Sequence, residues 1–469
     1  MTAAAVGASP KRPNILFILA DDHALQQISA YRPDNVVTTP QIDRIAAAGM
    51  RLDNCFCCNS LCAPSRASIL TGNYNHICGV RTLQEKFDNR QRTIAHALRE
   101  GGYQTAMIGK WHLGHEEANT PRGFDHWEIL IGQGEYHNPR FLSEAGLAQE
   151  TGYVTEIITA KCLDWLEERD VDRPFFLMCH HKAPHRDWQP APQYVGRYAD
   201  VDFPHPETYH DDYETRGPAA WRARMRIDDL TERDCKQPFP EDLSPEELVD
   251  WKYQRFMEDY MACVASIDDG VGQLLDYLEE HGLLEETLVI YSSDQGFYTG
   301  EHGWFDKRFM YEESHHMPCL VQYPGHIPAG SSSQEMILNI DFAPTWLDFA
   351  GLSAGALTTQ GRSMRQVLEA DEETGQGYDY IYYRYWDKTS DHHVYPHYGV
   401  RGRRYKLICF RNLEPGEGES PTYWELYDLK TDPNELNNRI DDPALAAVRE
   451  DMHRALLQLQ EKYQDTELL

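Results

Sequence analysis

Cys62-Ala63-Pro64-Ser65-Arg66, followed by Ala67-Ser68-Ile69-Leu70-Thr71-Gly72, joins a thiol to a helix-like segment. Pro64 suits a first turn, where its missing N–H has no partner to lose. The free backbone N–H groups and the positive end of the helix dipole would then face an anion near position 62. Arg66 adds a fixed positive charge with bidentate donors. The plain alternative is a buried cysteine ahead of an ordinary helix. Cys55, Cys57, Cys58 and Cys62 also crowd together, but they form no pair of Cys-x-x-Cys units, and no His pair follows closely to complete a zinc set. A Cys-x5-Arg phosphatase pattern fails because Ser68 stands where its arginine would be.

Oxygen donors form a second constellation. Asp21 and Asp22 follow one apolar run; Asp294 and Gln295 follow another, far downstream. Hard cations such as Ca2+ or Mg2+ choose carboxylate and amide oxygens. Helix capping is the alternative use of Asp after a strand. Taken with Cys62 and Arg66, the four donors favour a metal site. Cleaving a sulfate or phosphate ester needs an in-line nucleophile, positive charge on the non-bridging oxygens, and a proton for the leaving oxygen. The metal and Arg66 address the first two. Lys110 and Lys307 are candidate anion clamps. His112 and His185 are candidates for proton transfer, because imidazole titrates near neutral pH. Taken singly, each reads as a surface lysine or a structural histidine.

Four apolar runs must carry these groups. Asn14 to Ala20 ends in Asp21-Asp22-His23, and Thr105 to Ile108 ends in Gly109-Lys110-Trp111-His112. Pro174 to Cys179 runs into His180-His181-Lys182-Ala183-Pro184-His185, and Thr287 to Tyr291 into Ser292-Ser293-Asp294-Gln295. Continuous apolar runs of this length read as strands buried on both faces of a parallel sheet. Ligands bind at the C-terminal edge of such sheets, where all the polar groups cluster. Helix signals fall between the runs, at Thr39-Pro40, at Thr93 and at Ser244-Pro245, the last opening a long helix to about Glu280, with a break as the alternative. The alternation predicts an α/β/α sandwich with a large, mostly parallel sheet over 1–370. Within it, 199–242 is polar and rich in Pro and Asp, and reads as a surface excursion. Over 371–469 the texture changes to aromatic, turn-separated runs and then an apolar-faced helix after Asp442-Pro443. This predicts a smaller C-terminal α+β subdomain with a short antiparallel sheet.

The chain has 469 residues, with 44 Lys and Arg against 75 Asp and Glu, for a net charge of −31. That surplus argues against nucleic acid or an anionic membrane as partner. An anionic substrate would need a locally positive pocket inside this acidic shell. No apolar run approaches the roughly 20 residues of a membrane span. Met1 to Pro13 holds Lys11 and Arg12 but no apolar core of a secretory signal, so the sequence as written is expected to be cytoplasmic unless a leader has been trimmed. Eleven cysteines are an odd number and read as no disulfide framework.

The Cys62 pentapeptide resembles the nucleophile segment of the type I sulfatases, in the alkaline-phosphatase superfamily. Gly109-Lys110-Trp111-His112 is similar to their Lys-x-His element, and Lys182-Ala183-Pro184-His185 to their second histidine. Ser293-Asp294-Gln295-Gly296, with Gly300-Glu301-His302-Gly303-Trp304 and Lys307, resembles their distal metal and sulfate-binding block. Glu425-Leu426-Tyr427-Asp428-Leu429 resembles their closing block. The resemblance implies that a formylglycine-generating enzyme oxidises Cys62 to formylglycine, whose hydrate is the nucleophile. It implies that Asp21, Asp22, Asp294, Gln295 and residue 62 hold Ca2+, with Mg2+ as an alternative. His185 or Lys307 would assist the departing alcohol, and His112 would take the proton that releases sulfate. Gln295 departs mildly from the family, where Asn or His is commoner. The aromatic, His-rich stretch Tyr382-Tyr383-Arg384-Tyr385-Trp386 to Arg401 resembles the carbohydrate sulfatases that act on amino-sugar sulfates, such as the N-acetylglucosamine-6-sulfatases. A small sulfated saccharide is therefore the expected substrate, with His302, Arg384 and His397 as candidate contacts. Sheet packing is the alternative explanation for the aromatics. Three competing functions are an arylsulfatase, a phosphate or phosphonate monoester hydrolase, and a non-catalytic anion-binding protein.

Overall fold

The computed structural model describes residues 12–387, 392–411 and 422–467. The signal-sequence expectation, as far as Lys11, falls outside them. Ten strands form the main sheet: β1 (Asn14–Ala20), β2 (Met50–Leu52), β3 (Gln104–Gly109), β4 (His126–Leu130), β5 (Arg140–Ser143), β6 (Gly146–Gln149), β7 (Phe175–His180), β8 (Thr287–Ser293), β9 (Cys319–Gln322) and β10 (Ser331–Ser333). Their spatial order is β10-β2-β9-β8-β1-β7-β3-β4-β5-β6. The central block β8-β1-β7-β3-β4 is parallel. Three of the four predicted runs, β1, β7 and β8, are buried at every residue, as strands covered on both faces must be. The fourth lies in β3, which is likewise fully buried.

The covering helices are α1 (Pro40–Ala48), α2 (Cys62–Thr71), α3 (Ile94–Glu100), α4 (Val154–Glu168), α5 (Glu232–Cys235), α6 (Pro245–Glu280), α7 (Phe342–Phe349) and α8 (Ala446–Lys462). α1, α4 and α6 pack together on one face, and α2, α3 and α7 on the other. α6 runs unbroken for 36 residues, where the sequence left an interruption open. Its N-terminus is closed by a capping box between Ser244 and Glu247. Its internal glycines serve close approach: a Cβ on Gly270 would lie 2.6 Å from Thr159 Oγ1 of α4. The stretch 199–242 lies on the body but is not merely solvated. Phe203, Met225, Ile227 and Leu230 are buried in the main core, because a low average hydropathy hides well-spaced apolar anchors.

The C-terminal strands β11 (Tyr380–Tyr385), β12 (His397–Gly402), β13 (Tyr405–Arg411) and β14 (Thr422–Asp428) form an antiparallel sheet in that order. α8 lays Met452, Leu456 and Leu459 against its Ile381, Val400, Leu407 and Leu426. Asp442-Pro443 starts a 3-10 turn, and the α-helix begins three residues later, at Ala446. Among the described residues no helix is long and apolar enough to cross a membrane.

Candidate active site

Register brings the oxygen donors together. β1 and β8 pair in parallel with Leu19 beside Ser292 and Ala20 beside Ser293. The next residues on the two strands, Asp21-Asp22 and Asp294-Gln295, therefore leave the sheet side by side. Asp22 N donates to Asp294 Oδ1 at 3.2 Å. Asp22 has a left-handed φ of 70°, a bend that turns the chain at the sheet edge. Single ligand atoms of Asp21, Asp22, Asp294 and Cys62 all lie within 4.8 Å of one another, and all four residues are buried.

α2 supplies the other half. Cys62 is its first helical residue after Leu61, and every residue of α2 is buried. The helix start is held by Ser65 N donating to Leu61 O at 2.8 Å and by Asn339 Nδ2 donating to Ser65 Oγ at 2.8 Å. Cys62 Sγ faces Asp22 Oδ1 at 4.0 Å. Burial, then the Asp21 charge, pushes the thiol well above its ordinary range. An unmodified Cys62 is thus a protonated thiol and a poor nucleophile. One turn on, Arg66 donates through Nε to Asp294 Oδ2 at 3.0 Å, and its Nη2 lies 2.9 Å from the same oxygen as an ion pair. Its Nη1 donates to Lys110 O at 2.7 Å and meets His180 Nδ1 at 3.3 Å.

The sequence-predicted bases gather around this cluster. Lys307 Nζ donates to both Asp22 oxygens at 2.6 Å. Burial opposes its charge, but Asp22 holds its ammonium well above the usual range. Lys110 Nζ pairs with Asp21 Oδ2 and donates to Gln133 Oε1. His185 Nε2 stands 3.7 Å from Asp22 Oδ2. His112 follows Lys110 in a left-handed φ of 59°, with Nδ1 unpartnered. Burial first, and Lys110 second, lowers both His112 and His185 well below the ordinary range, so both rings are neutral.

The donor set fits a hard divalent cation. Burial raises Asp22 to about 7 and Asp294 to about 6, with neighbouring carboxylate charge adding to the rise. Asp21 goes the other way: burial opposes the shift, but the charges of Lys110 and Arg66 hold it well below its normal value. Asp21 Oδ1 and Gln295 Oε1 are buried without a hydrogen-bond partner. Gln295 Nε2 donates to Asp22 Oδ1, so the opposite amide orientation would present its oxygen to the cluster. Clustered buried carboxylates with orphaned oxygens are what a calcium site offers.

The three proposed substrate contacts lie in other surroundings. His302 is buried, with Nδ1 2.7 Å from Asp211 Oδ2 and Nε2 3.6 Å from Glu313 Oε2. Arg384 pairs with Asp465 and Glu467 and lies over the Trp386 ring at 4.5 Å. His397 stacks near Tyr383 and Phe410, and burial pushes it down to about 3. Arg384 and His397 also line a cavity of about 250 Å³ with Trp386, Tyr398 and Arg411. Gln133 and His180 escaped the sequence reading. Gln133 stands between Gly132 and Gly134, both at positive φ, and that turn after β4 was its one local signal.

A parallel sheet edge that joins oxygen donors suited to a divalent cation, a helix-borne residue 62 and an anion clamp of Arg and Lys is built for hydrolysing an ester of a tetrahedral oxyanion. The chain belongs to the sulfatase family: the family profile described as Sulfatase matches residues 13–352. A second profile, for the N-sulphoglucosamine sulphohydrolase C-terminal region, matches 300–462. An N-acetylglucosamine-6-O-sulfatase of Bacteroides thetaiotaomicron is 41% identical over 97% of this chain and 88% of the relative. The human N-acetylglucosamine-6-sulfatase is 30% identical over 77% of this chain and 65% of the relative. A solved structure of a protein in complex with its substrate, D-glucosamine-2-N,6-O-disulfate, superposes with a TM-score of 0.92 at 42% identity, covering 97% of this chain and 99% of the other.

Proposed function

We propose that this sulfatase removes the 6-O-sulfate of a glucosamine-type sugar, using a formylglycine made from Cys62 by a formylglycine-generating enzyme and a Ca2+ held by Asp21, Asp22, Asp294 and Gln295. The observation that carries the reading is the meeting of Asp21, Asp22, Asp294 and Cys62 within 4.8 Å, walled by Arg66, Lys110 and Lys307. The similarity to an N-acetylglucosamine-6-O-sulfatase at 41% identity and to a structure holding D-glucosamine-2-N,6-O-disulfate at 42% supports the sugar. When present, the hydrated aldehyde supplies a nucleophile whose second hydroxyl allows sulfate to be expelled, and the cation supplies positive charge at the attacked group.

The chain's own residues do the rest. Lys110 and Lys307 place positive charge where the sulfate oxygens must lie, inside an acidic shell that would otherwise repel them. Arg66 fixes Asp294 with one hydrogen bond and an ion pair and thereby sets the shape of the cation site. His185 directs Nε2 into the site; the negative charge of a bound sulfate favours its imidazolium, whose Nε2–H protonates the leaving sugar oxygen. His112, neutral and with one nitrogen free, accepts a proton at the nucleophile side. A panel of sulfated monosaccharides, with aryl sulfate and aryl phosphonate beside them, tests the reading by released anion. The expected result is preference for 6-O-sulfated N-acetylglucosamine. Release from the phosphonate alone, or from 2-O- or 4-O-sulfated sugars alone, would sink the assignment.

A further inference from the structure

We infer that crosswise Arg–Asp pairs make the 199–242 excursion a positioning device for His185; this rests on the leaving-group role proposed above. Arg186-Asp187 follows His185, and Arg233-Asp234 sits in α5. Arg186 Nε and Nη2 donate to the two oxygens of Asp234, each at 2.6 Å. Arg233 Nη2 donates in return to Asp187 Oδ2 at 2.7 Å. The two pairs are unequal. The Asp234 side chain is 2% exposed, whereas that of Arg233 is 80% exposed. The first is a bidentate bond buried on its carboxylate side and the second a rim contact of little energy. Asp234 is itself held by Thr231, which donates from N and Oγ1 at 2.9 and 2.7 Å.

The clamp reaches His185 through one atom. The Arg186 carbonyl meets His185 Nδ1 at 2.7 Å. A ring that spends its Nδ1–H on a carbonyl presents Nε2 to the site, as carbonyl and carboxylate partners do for metal-bound histidines. Nε2 is the atom 3.7 Å from Asp22 Oδ2. Tyr136 OH holds the same residue from the other side, donating to His185 O at 2.5 Å. The Arg186 guanidinium also lies over Phe305, at 4.9 Å from its ring centre, two residues before Lys307. Swinging Arg186 would therefore turn its carbonyl and release the ring. Asp234 and Arg186 touch no reacting atom, so both are positioning residues.

A leaving-group comparison tests this on the matured, calcium-loaded enzyme. A sugar alkoxide needs a proton to depart, whereas 4-nitrophenolate does not. Asp234→Asn should lower kcat on 6-O-sulfated N-acetylglucosamine about 10- to 100-fold with KM little changed. Its kcat on 4-nitrophenyl sulfate should fall less than about 3-fold. His185→Ala is the benchmark and should show a larger split of the same kind. An unselective loss in His185→Ala strikes its leaving-group role. A selective loss there, beside an unselective loss or none in Asp234→Asn, overturns the clamp alone. Should Asp234→Asn fail to fold, Arg186→Lys, which keeps the charge but not the fork, is read by the same split.

Discussion

At Cys62 the environment forbids the chemistry that a cysteine would ordinarily do. Burial pushes the thiol well above its ordinary range beside Asp21 and Asp22, which suits the conversion of the side chain proposed above better than ionisation. Cys62→Ala is expected to abolish turnover with an unchanged melting temperature, and the active protein should weigh about 18 Da less than its sequence. Normal turnover in the variant would exclude residue 62 as nucleophile. The carboxylates give a pH test. In the cation-free protein Asp22 and Asp294 are raised to about 7 and about 6, against roughly 4 when unfolded. Over that interval the native state holds more protons than the unfolded state. Their contribution to stability is therefore full at low pH and is lost as pH rises through about 6 to 7. Ca2+ must displace those protons. The Tm gain on adding it should be small near about pH 5 and large near about pH 8. Equal gains at both pH values would separate these carboxylates from the cation.

Among the elements, the strand ends are the decisive joints. The four apolar runs, their parallel pairing and the polar groups at their C-terminal ends were legible as continuous apolar segments with charged tails. The neighbour relation of β1 and β8 was not, because strand order depends on contacts hundreds of residues apart. Helix entries were legible where Ser or Thr precedes Pro. The partner that closes α1 was not: Asp268 of α6 accepts from Gln41 N and Ile42 N at 3.0 and 2.8 Å. Asp268→Ala should cost about 1–3 kcal/mol, through two orphaned N–H groups at the start of α1. It should leave kcat intact, since Asp268 bonds the start of α1 and none of the proposed site residues. A fall in kcat without a fall in Tm would contradict that division.

Across the whole molecule, the C-terminal sheet is part of the machinery that holds the site. Arg384 N donates to Cys58 O at 3.1 Å. Tyr383 OH accepts from Ser60 N at 3.1 Å and donates to Arg308 O at 2.6 Å. One phenol thus ties the approach to Cys62 to the segment after Lys307. Tyr383→Phe should lower stability by about 1–3 kcal/mol and reduce kcat, because it frees two loops at once. A chain ending near residue 370 should not fold to a soluble enzyme. It would lose the sheet that covers Phe56, Tyr74 and Leu338. Soluble, active protein from that truncation would show the sheet to be dispensable.

Local chemistry was written along the chain. The Cys-x-Pro-Ser-Arg helix start, the oxygen donors after apolar runs, and Lys and His two residues apart each follow from residue type and near spacing. Those are short-range properties, so the sequence by itself pointed to a candidate nucleophile and donor set and determined the layered architecture. The tertiary structure decided which orphaned oxygens lie together, which base meets which carboxylate, and that a polar excursion grips the residue after His185. Such facts depend on desolvation and on contacts between distant segments, and neither is set until the sheet edge has closed around them.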